Sequence, residues 1–312
     1  MQSTLRHSGV ESRTNLSNRQ NIDSLGWSGP QQPVEHLLVA TDLTQRSDRA
    51  IERSLELADL LKTQLTLLHV VDEGLPRRLI KHRRREAQAL LQEHIRMLLS
   101  PNASRDVSIN VRTGDISAEI AREAIELGSD AIILGMQRQH SRGYGRYERM
   151  AAKVVHYSDR AVLIVKHEPK GPYRSAVIHV ESLSDPTTAL RVSSRLAPCA
   201  EPHIIANCST APSMGAREAY TALSSQSLRR IKTSNTCRTC ALERRPYPKP
   251  ITVHPYQKVG AAVDAFQGDL LVVEVCHSGE GRGLPPDDAV RKIVDDPPCD
   301  LLVVRGRDNC KC

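Results

Sequence analysis

The segment TGDISAEIAREAIELGSDAIILG, residues 113–135, places a helical pattern directly before a continuous apolar run. The helical pattern covers 116–128 and ends at Gly128, a residue type that terminates many helices because it tolerates a left-handed backbone. The apolar run at 130–135 is typical of a strand that is covered on both faces. This order of helix and strand predicts an α/β domain built on a parallel sheet.

The same alternation extends from this segment in both directions. Apolar runs rich in strand-forming residues lie at 34–42, 64–72, 107–115, 130–135 and 160–166. Segments with apolar residues at helical spacing lie between them, at 47–61, 80–99, 116–128 and 151–158. The first of these helices is expected to begin at Ser47, a residue type that favours the N-cap. The order β-α-β-α-β-α-β-α-β predicts a doubly wound, five-stranded parallel sheet with helices on both faces.

The second half of the chain repeats this pattern. It contains matching strand and helix segments: SAVIHVES, DPTTALRVSSRLA, PHIIANCS, GDLLVVEV and CDLLVVRG. Corresponding residues of the two halves are separated by a constant 139 positions: Asp42 and Glu181, Asp130 and Asp269, Val165 and Val304. A constant spacing across three strands indicates an internal duplication.

The duplication predicts two tandem domains of this doubly wound α/β fold, at residues 34–168 and 174–306. Proline and glycine in KHEPKGPYR, residues 166–174, mark the join between them. Residues 1–33 are rich in Ser, Asn, Gln and Arg and are predicted to form a disordered tail. Residues 307–312 are predicted to form a flexible C-terminal tail.

The composition bears on the class of protein. The 312 residues carry a formal charge of +7 and only 3% aromatic residues, so the core must be built from aliphatic side chains. No apolar run approaches the roughly 18 residues that a membrane span needs, and the N-terminal segment lacks the apolar core of a secretory signal. We therefore expect a cytoplasmic protein without membrane contact, whose eight cysteines are thiols or metal ligands.

Two segments carry a resemblance to a known family: VATDLTQRSDRAIERSLELA, residues 39–58, and the segment at 113–135. Together with the duplicated five-strand pattern, they resemble the universal stress protein family, and the chain is identified as a tandem member of it. The resemblance is closer over 34–168 than over 174–306. It implies an adenine nucleotide alpha hydrolase-like fold, with an adenine nucleotide site at the carboxyl ends of the strands. It also implies pairing through the fifth strands, between the two halves or in a homodimer.

The loop after the fourth strand departs from the pattern of the nucleotide-binding members of this family, G-x2-G-x9-G-[ST]. Gly135 keeps the first glycine, but the later positions are occupied by Arg138, Glu148 and Arg149. Glycines in such a loop let backbone amides approach phosphate oxygens, whereas a carboxylate at Glu148 would repel them. The nucleotide site of the first half is therefore predicted to be vestigial.

Other features favour a retained site in the first half. The family resemblance assigns the contact with base and sugar to Asp42 and the position beside the adenine to Val70. Arg138 and Arg149 could hold phosphate directly through their side chains. The alternative prediction is therefore an ATP-binding or slowly hydrolysing switch, with a site formed by Asp42, Val70, Gly135, Arg138 and Arg149.

The second half departs further from the nucleotide-binding pattern. Glu181 replaces the aspartate that ends the first strand, and Cys276 replaces the first glycine of the loop. No nucleotide is predicted to bind there.

Four cysteines form two closely spaced pairs, Cys237 with Cys240 and Cys310 with Cys312. Four thiolates can hold a structural zinc ion, and two C-x2-C pairs are a strong signal for it. Only the first pair has that spacing, so free surface thiols are the prediction and a zinc site is the alternative.

The densest basic cluster is PRRLIKHRRRE, residues 76–86, at the start of the second helix. Its cations predict a positive ridge: Arg77, Arg78, Lys81, Arg84 and Arg85. No aromatic residue is interleaved with them, so base stacking is unsupported. The prediction is a solvated face, and binding of nucleic acid or of an acidic partner is the alternative.

No residue pattern indicates catalysis. His69 and His179 lie on predicted strands, where histidines usually serve packing, and no G-x-S-x-G, H-E-x-x-H or Walker-type motif occurs. We therefore predict a protein that is not an enzyme and has no resident cofactor. The family resemblance implies action in the stress response, in tolerance of starvation, oxidants or DNA damage, through protein partners.

Overall fold

The computed structural model describes residues 33–99, 107–136, 150–180, 187–206, 254–255, 259–275 and 288–306. The strands are β1 (His36–Ala40), β2 (Gln64–Asp72), β3 (Val107–Gly114), β4 (Ala131–Gly135), β5 (Ala161–Val165), β6 (Ser175–Val180), β7 (Glu201–Ala206), β8 (His254–Pro255), β9 (Leu270–Val275) and β10 (Asp300–Arg305). The helices are α1 (Gln45–Leu61), α2 (Arg77–Leu98), α3 (Ile116–Glu126), α4 (Met150–Tyr157), α5 (Thr187–Leu196), α6 (Val259–Ala265) and α7 (Asp288–Asp295).

The strands form one sheet, in the order β3-β2-β1-β4-β5-β10-β9-β6-β7-β8. Neighbours within each half run parallel, and only the central β5–β10 pair is antiparallel. The predicted fold class, two tandem doubly wound α/β units, is therefore confirmed. The fifth strands pair with each other inside the chain, because β5 lies between β4 and β10, and β10 lies between β5 and β9.

Hydrogen bonds repeat between the two halves at the predicted spacing. Asp130 and Asp269 each accept two bonds from successive backbone N–H groups at the start of the first strand of their own half, at 2.7 and 3.2 Å for Asp130 and 2.8 and 3.0 Å for Asp269. The donors are Glu35 and His36 in the first half, and Arg174 and Ser175 in the second. Gly128 and Gln267, also 139 positions apart, both take a left-handed backbone, with φ of 63° and 48°. These shared contacts support the duplication.

The contacts between the two halves, around the β5–β10 pair, follow a two-fold pattern. The Arg305 guanidinium, at the end of β10, donates to the carbonyl groups of Val155 and His156 in the last turn of α4, at 2.6 and 2.7 Å. Lys166, at the equivalent position after β5, donates to the carbonyl of Pro297 just beyond α7, at 2.6 Å. Cations stabilise the carboxyl ends of helices. Reciprocal contacts of this kind are expected where two copies of one surface meet.

A buried polar cluster also links the two halves. The Tyr173 hydroxyl donates to Asp300 Oδ2 at 2.7 Å, and Arg53 Nε lies 3.6 Å from the same oxygen. Asp300 Oδ1 accepts from the backbone N–H groups of Lys166 and His167 at 2.8 and 3.1 Å. Arg53 also lies over the Tyr173 ring, 4.2 Å from its centre. Burial, and then the charge of Asp300, raise the pKa of Tyr173 well above its usual value, so the phenol stays protonated.

One hydrophobic core runs through both halves. Leu301 and Val303 of β10 belong to the same buried cluster as Val162 and Ile164 of β5, which they face across the antiparallel pair. The cluster also includes side chains of β1 and β4 on one side and of β6 and β9 on the other. Burial of this continuous apolar surface couples the two halves energetically.

Two expectations from the sequence are wrong. Helix α1 begins at Gln45 after an N-cap at Thr44, so Ser47 lies in the first turn. There its hydroxyl donates to the Thr44 carbonyl at 2.8 Å and lies 2.7 Å from the Thr41 hydroxyl. Cys199 is disulfide-bonded rather than a thiol or a metal ligand, because such pairing depends on tertiary proximity that spacing along the chain does not reveal. Cys299 is a buried free thiol.

The helices of the described ranges include none with the length and apolar character needed to cross a membrane.

His179 on β6 gives the fold a testable dependence on pH. Burial lowers its pKa below 6.5, so its neutral form stabilises the fold fully above that pH. As the pH falls below 6.5 toward the lowered pKa, the unfolded chain binds the extra proton and this stability is lost. We expect the urea midpoint of the protein to fall more between pH 7.5 and pH 5.5 than that of His179→Gln. The exposed His82→Gln should keep the wild-type dependence, and equal slopes for His179→Gln and wild type would contradict the prediction.

Candidate functional site

A cavity of about 450 Å³ lies at the carboxyl ends of β1, β2 and β4. Strand β1 pairs with β2 on one side and with β4 on the other. The strand order therefore reverses between β1 and β4. Open α/β sheets bind ligands at such a switch point. The volume falls within the range of small-molecule sites.

The cavity brings together three of the five residues predicted for a nucleotide site. Asp42 follows β1, Val70 lies near the end of β2 and Gly135 is the last residue of β4, and all three line the cavity. Arg138 and Arg149 lie outside the described residues, as does Glu148. The strand ends alone therefore gather the part of the site that would contact a base and a sugar.

Asp42 is held by its own turn. Its Oδ1 accepts from the backbone N–H of Thr44 at 3.0 Å and from the hydroxyl of Thr44 at 2.7 Å. The Thr41 hydroxyl accepts from the N–H of Leu43, whose backbone is left-handed, with a φ of 60°. These bonds use Oδ1 of the carboxylate, and Asp42 is an exposed residue, so its Oδ2 can accept a hydrogen bond from a ligand hydroxyl.

His69, which the sequence analysis assigned to strand packing, lies beside Asp42 in the cavity lining. It lines the cavity, and its Nδ1 lies 2.9 Å from the carbonyl oxygen of Thr41. A carbonyl only accepts, so Nδ1 carries the proton, and Nε2 is an acceptor in the neutral ring. No motif marks this residue, and its role depends on the way β2 ends beside β1.

The described wall of the cavity is mainly apolar. Its aliphatic side chains come from both faces of the sheet ends and from the neighbouring helices: Leu43, Leu68, Val70, Val71, Leu75, Ala87, Leu90, Ile116, Ile120 and Met150. Leu75, Leu90 and Ile116 are more than a third exposed. Such a wall suits the flat, weakly polar face of a small ligand.

The charged groups of this wall disfavour phosphate. The described lining contains three carboxylates, Asp42, Asp72 and Glu86, and one guanidinium, Arg83. The guanidinium is already paired with Glu86 at 3.1 Å. Against these described residues, a polyphosphate would meet net negative charge, which costs free energy at intermediate dielectric.

Four of the five cations of the predicted basic ridge lie on one surface of α2, and Arg78 lines neither depression. Arg77, Lys81, Arg84 and Arg85 line a second depression of about 760 Å³, between α2 and the edge strand β3. We call this depression the α2–β3 groove. Arg83, which the ridge did not include, reaches the cavity on the other side of the helix.

The other candidate positions fall outside the described ranges. These are Glu181 and Cys276 of the second half and the proposed zinc ligands Cys237, Cys240, Cys310 and Cys312. Within the described part of the chain, no group of three or more His, Cys, Asp and Glu side chains is placed to hold a metal ion.

The sheet order, with a cavity at its switch point, defines a doubly wound α/β protein. Residues 33–166 match the model of the universal stress protein family, so this part of the chain is a universal stress protein domain. The resemblance predicted from the sequence is confirmed there, and a tandem arrangement is compatible with the length of the chain and its two similar half-sheets.

Solved structures share the fold over both halves. A universal stress protein from Archaeoglobus fulgidus DSM 4304 superposes with a TM-score of 0.63 at 16% identity, covering 88% of this chain and 98% of that one. A functionally unknown protein from Pseudomonas aeruginosa PAO1 superposes with a TM-score of 0.57 at 15% identity, covering 90% of this chain and 96% of that one. At these identities the likeness shows the fold alone. No curated protein is similar enough in sequence to count as a match.

Proposed function

We propose that the protein acts in the stress response without catalysing a reaction, through contacts with protein partners in the cytoplasm. Its universal stress protein domain supports a role in the stress response. The finer proposal is tolerance of starvation, oxidants or DNA damage, with nucleotide sites that no longer hold phosphate. The domains are proposed to span 34–168 and 174–306, and pairing of whole chains into a homodimer stays a prediction.

The charge of the cavity lining is the observation that carries this proposal. The described lining holds three carboxylates and one guanidinium that is already paired, so these residues offer a phosphate chain no unpaired cation. The sequence adds Glu148 at a position that is glycine in the nucleotide-binding members. Both features oppose a bound triphosphate.

The hydrogen bonds of the site also favour a non-catalytic role. Ser47 donates its hydroxyl proton to the Thr44 carbonyl, and the protonated Nδ1 of His69 faces the Thr41 carbonyl. In the described lining, Ser47 and His69 are not hydrogen-bonded to each other, as a nucleophile and its base would be.

The second candidate function is an ATP-binding or slowly hydrolysing switch. A ligand-sized cavity favours it, because the exposed residue Asp42 lies beside the wall that Val70 and Gly135 help to form. In that case Arg138 and Arg149 would hold the phosphates and offset the carboxylates.

Nucleotide analysis separates the two candidates. We expect natively purified protein to carry no adenine nucleotide by mass spectrometry and to release no phosphate from ATP above the level of the heat-inactivated protein. A ligand at 100 times its Kd would stabilise the fold by about 2.7 kcal/mol, and we expect ATP to produce no such rise in Tm.

The opposite results would overturn the first proposal. Copurified nucleotide, or stabilisation by ATP that disappears in Asp42→Ala and persists in the exposed control Glu73→Ala, would establish the switch instead. A stress role for the intact protein is tested by survival of a deletion strain under starvation, peroxide and DNA damage, and survival equal to wild type in all three would oppose it.

A further inference from the structure

The α2–β3 groove is bordered by one face of α2 and by the outermost strand of the first half. The residues of α2 that line it recur at helical spacing: Arg77, Ile80, Lys81, Arg84, Arg85, Gln88, Ala89 and Gln92. The opposite border is formed by residues 109–112 of β3. Ala87, Leu91 and Ile95 make the buried face of the helix, so the groove uses a separate face.

The groove is strongly positive. Its described lining contains no Asp or Glu, and four of its cations make no ion pair with a described residue: Arg77, Lys81, Arg84 and Arg85. Arg112 also lines the groove, but Glu123 and Glu126 neutralise it at 2.6 and 2.9 Å. The first turn of α2 has no acidic residue, so the positive end of the helix dipole adds to the same potential.

The groove also borders the edge of the sheet. β3 is the terminal strand of the sheet order, and no described strand pairs with its outer edge. An edge strand presents unpaired N–H and C=O groups that another extended chain can bond. The Arg84 guanidinium donates to the Val111 carbonyl at 3.1 Å, so it places a cation beside β3 and already occupies this one carbonyl.

We propose that the α2–β3 groove docks an acidic, extended peptide segment of a partner protein. The segment pairs with the outer edge of β3 and directs carboxylates at Arg77, Lys81 and Arg85. Because side chains alternate along a strand, acidic residues at every second position would all face α2. The residues between them would face α3, where Glu123 and Glu126 favour neutral side chains.

The observations favour this occupant over three others. The described lining has no aromatic side chain on which a nucleic-acid base could stack. A second copy paired edge to edge would bring two positive grooves together, and like charges disfavour that contact. Residues 1–32 of the chain contain three arginines and two acidic residues, so this tail lacks the required negative charge.

Fluorescence anisotropy of the full chain at low salt tests the proposal. The probe is a short labelled peptide in which Glu and Thr alternate. Saturable binding is expected, and the variant Arg77→Gln, Lys81→Gln, Arg85→Gln should weaken it about tenfold, since each exposed charge pair contributes modestly. The matched control Lys62→Gln, Arg96→Gln, Arg122→Gln loses the same charge elsewhere on the surface and should bind as wild type.

A peptide methylated on alternate backbone nitrogens separates strand pairing from charge attraction. It is expected to bind at least about tenfold more weakly than the parent peptide, because it cannot complete the hydrogen-bond ladder with β3. Absence of binding, equal loss in the two triple variants, or equal binding of the methylated peptide would each overturn the proposal. So would stronger competition by a single-stranded oligonucleotide of equal charge, which would indicate nucleic acid as the ligand.

Discussion

Replacing Asp300 with Ala is expected to lower the free energy of unfolding by about 3–5 kcal/mol, the range observed when one partner of a buried ionic cluster is removed. Asp300 is 2% exposed, accepts three hydrogen bonds between the halves and lies 3.6 Å from Arg53 Nε. Its loss leaves the Tyr173 hydroxyl and two backbone N–H groups buried without an acceptor. Arg53 keeps Glu56 at 2.7 Å but loses its second carboxylate. Urea denaturation followed by far-UV circular dichroism measures the change.

Two further variants make this expectation specific. Tyr173→Phe removes one donor and leaves the others in place, so it should cost only about 1 kcal/mol. Asp296→Ala removes a carboxylate that is 73% exposed and 3.4 Å from Lys166, and it should change stability by less than about 1 kcal/mol. If Asp300→Ala lowered the free energy of unfolding no more than Asp296→Ala, the prediction that the buried cluster stabilises the contact between the halves would be wrong.

Replacing Leu301 with Ala is expected to cost about 2–5 kcal/mol, the range for truncation of a large buried aliphatic side chain. Leu301 is fully buried in β10 opposite Ile164 of β5, within the cluster shared by the two halves. The cavity left by the truncation would remove contacts from both halves at once. We therefore expect one cooperative transition in urea, shifted to lower concentration.

Hydrogen exchange shows whether the effect reaches both halves. In Leu301→Ala, amides of β1 in the first half and of β9 in the second should lose protection together, because their side chains share one core. Met97→Ala, at a position 70% exposed on α2, should leave protection unchanged. Loss of protection in β9 alone would show that the halves unfold independently and that the shared core does not couple them.

Much of the fold could be predicted from the sequence, because strands and helices have characteristic local patterns of apolar residues. The apolar runs that predicted β1, β4, β5, β9 and β10 contain few polar residues, since each strand is buried on both faces. The 139-residue spacing predicted from the sequence which strands of the two halves correspond. The equivalent hydrogen bonds of Asp130 and Asp269 agree with this prediction.

The sequence was less informative where contacts join distant segments. Ser47 has the chemistry of an N-cap, but a bond with Thr41 competes for its hydroxyl, and the helix starts earlier. His69 carries no local signal for a site and becomes one only because β2 ends beside β1. The pairing of Cys199 likewise follows from spatial proximity, which the order of residues does not report.

By itself, the sequence determined the alternation of strands and helices, the duplication and the family of the first half, because these depend on periodicity and on residue types at fixed positions. The tertiary structure alone decided that side chains of both copies share one buried cluster, that His69 and the Arg83–Glu86 pair line the same cavity as Asp42, and that the basic face of α2 lies along the terminal strand of the sheet. The physical reason is that such contacts are set by packing between segments far apart in the chain, where burial and charge outweigh local preference.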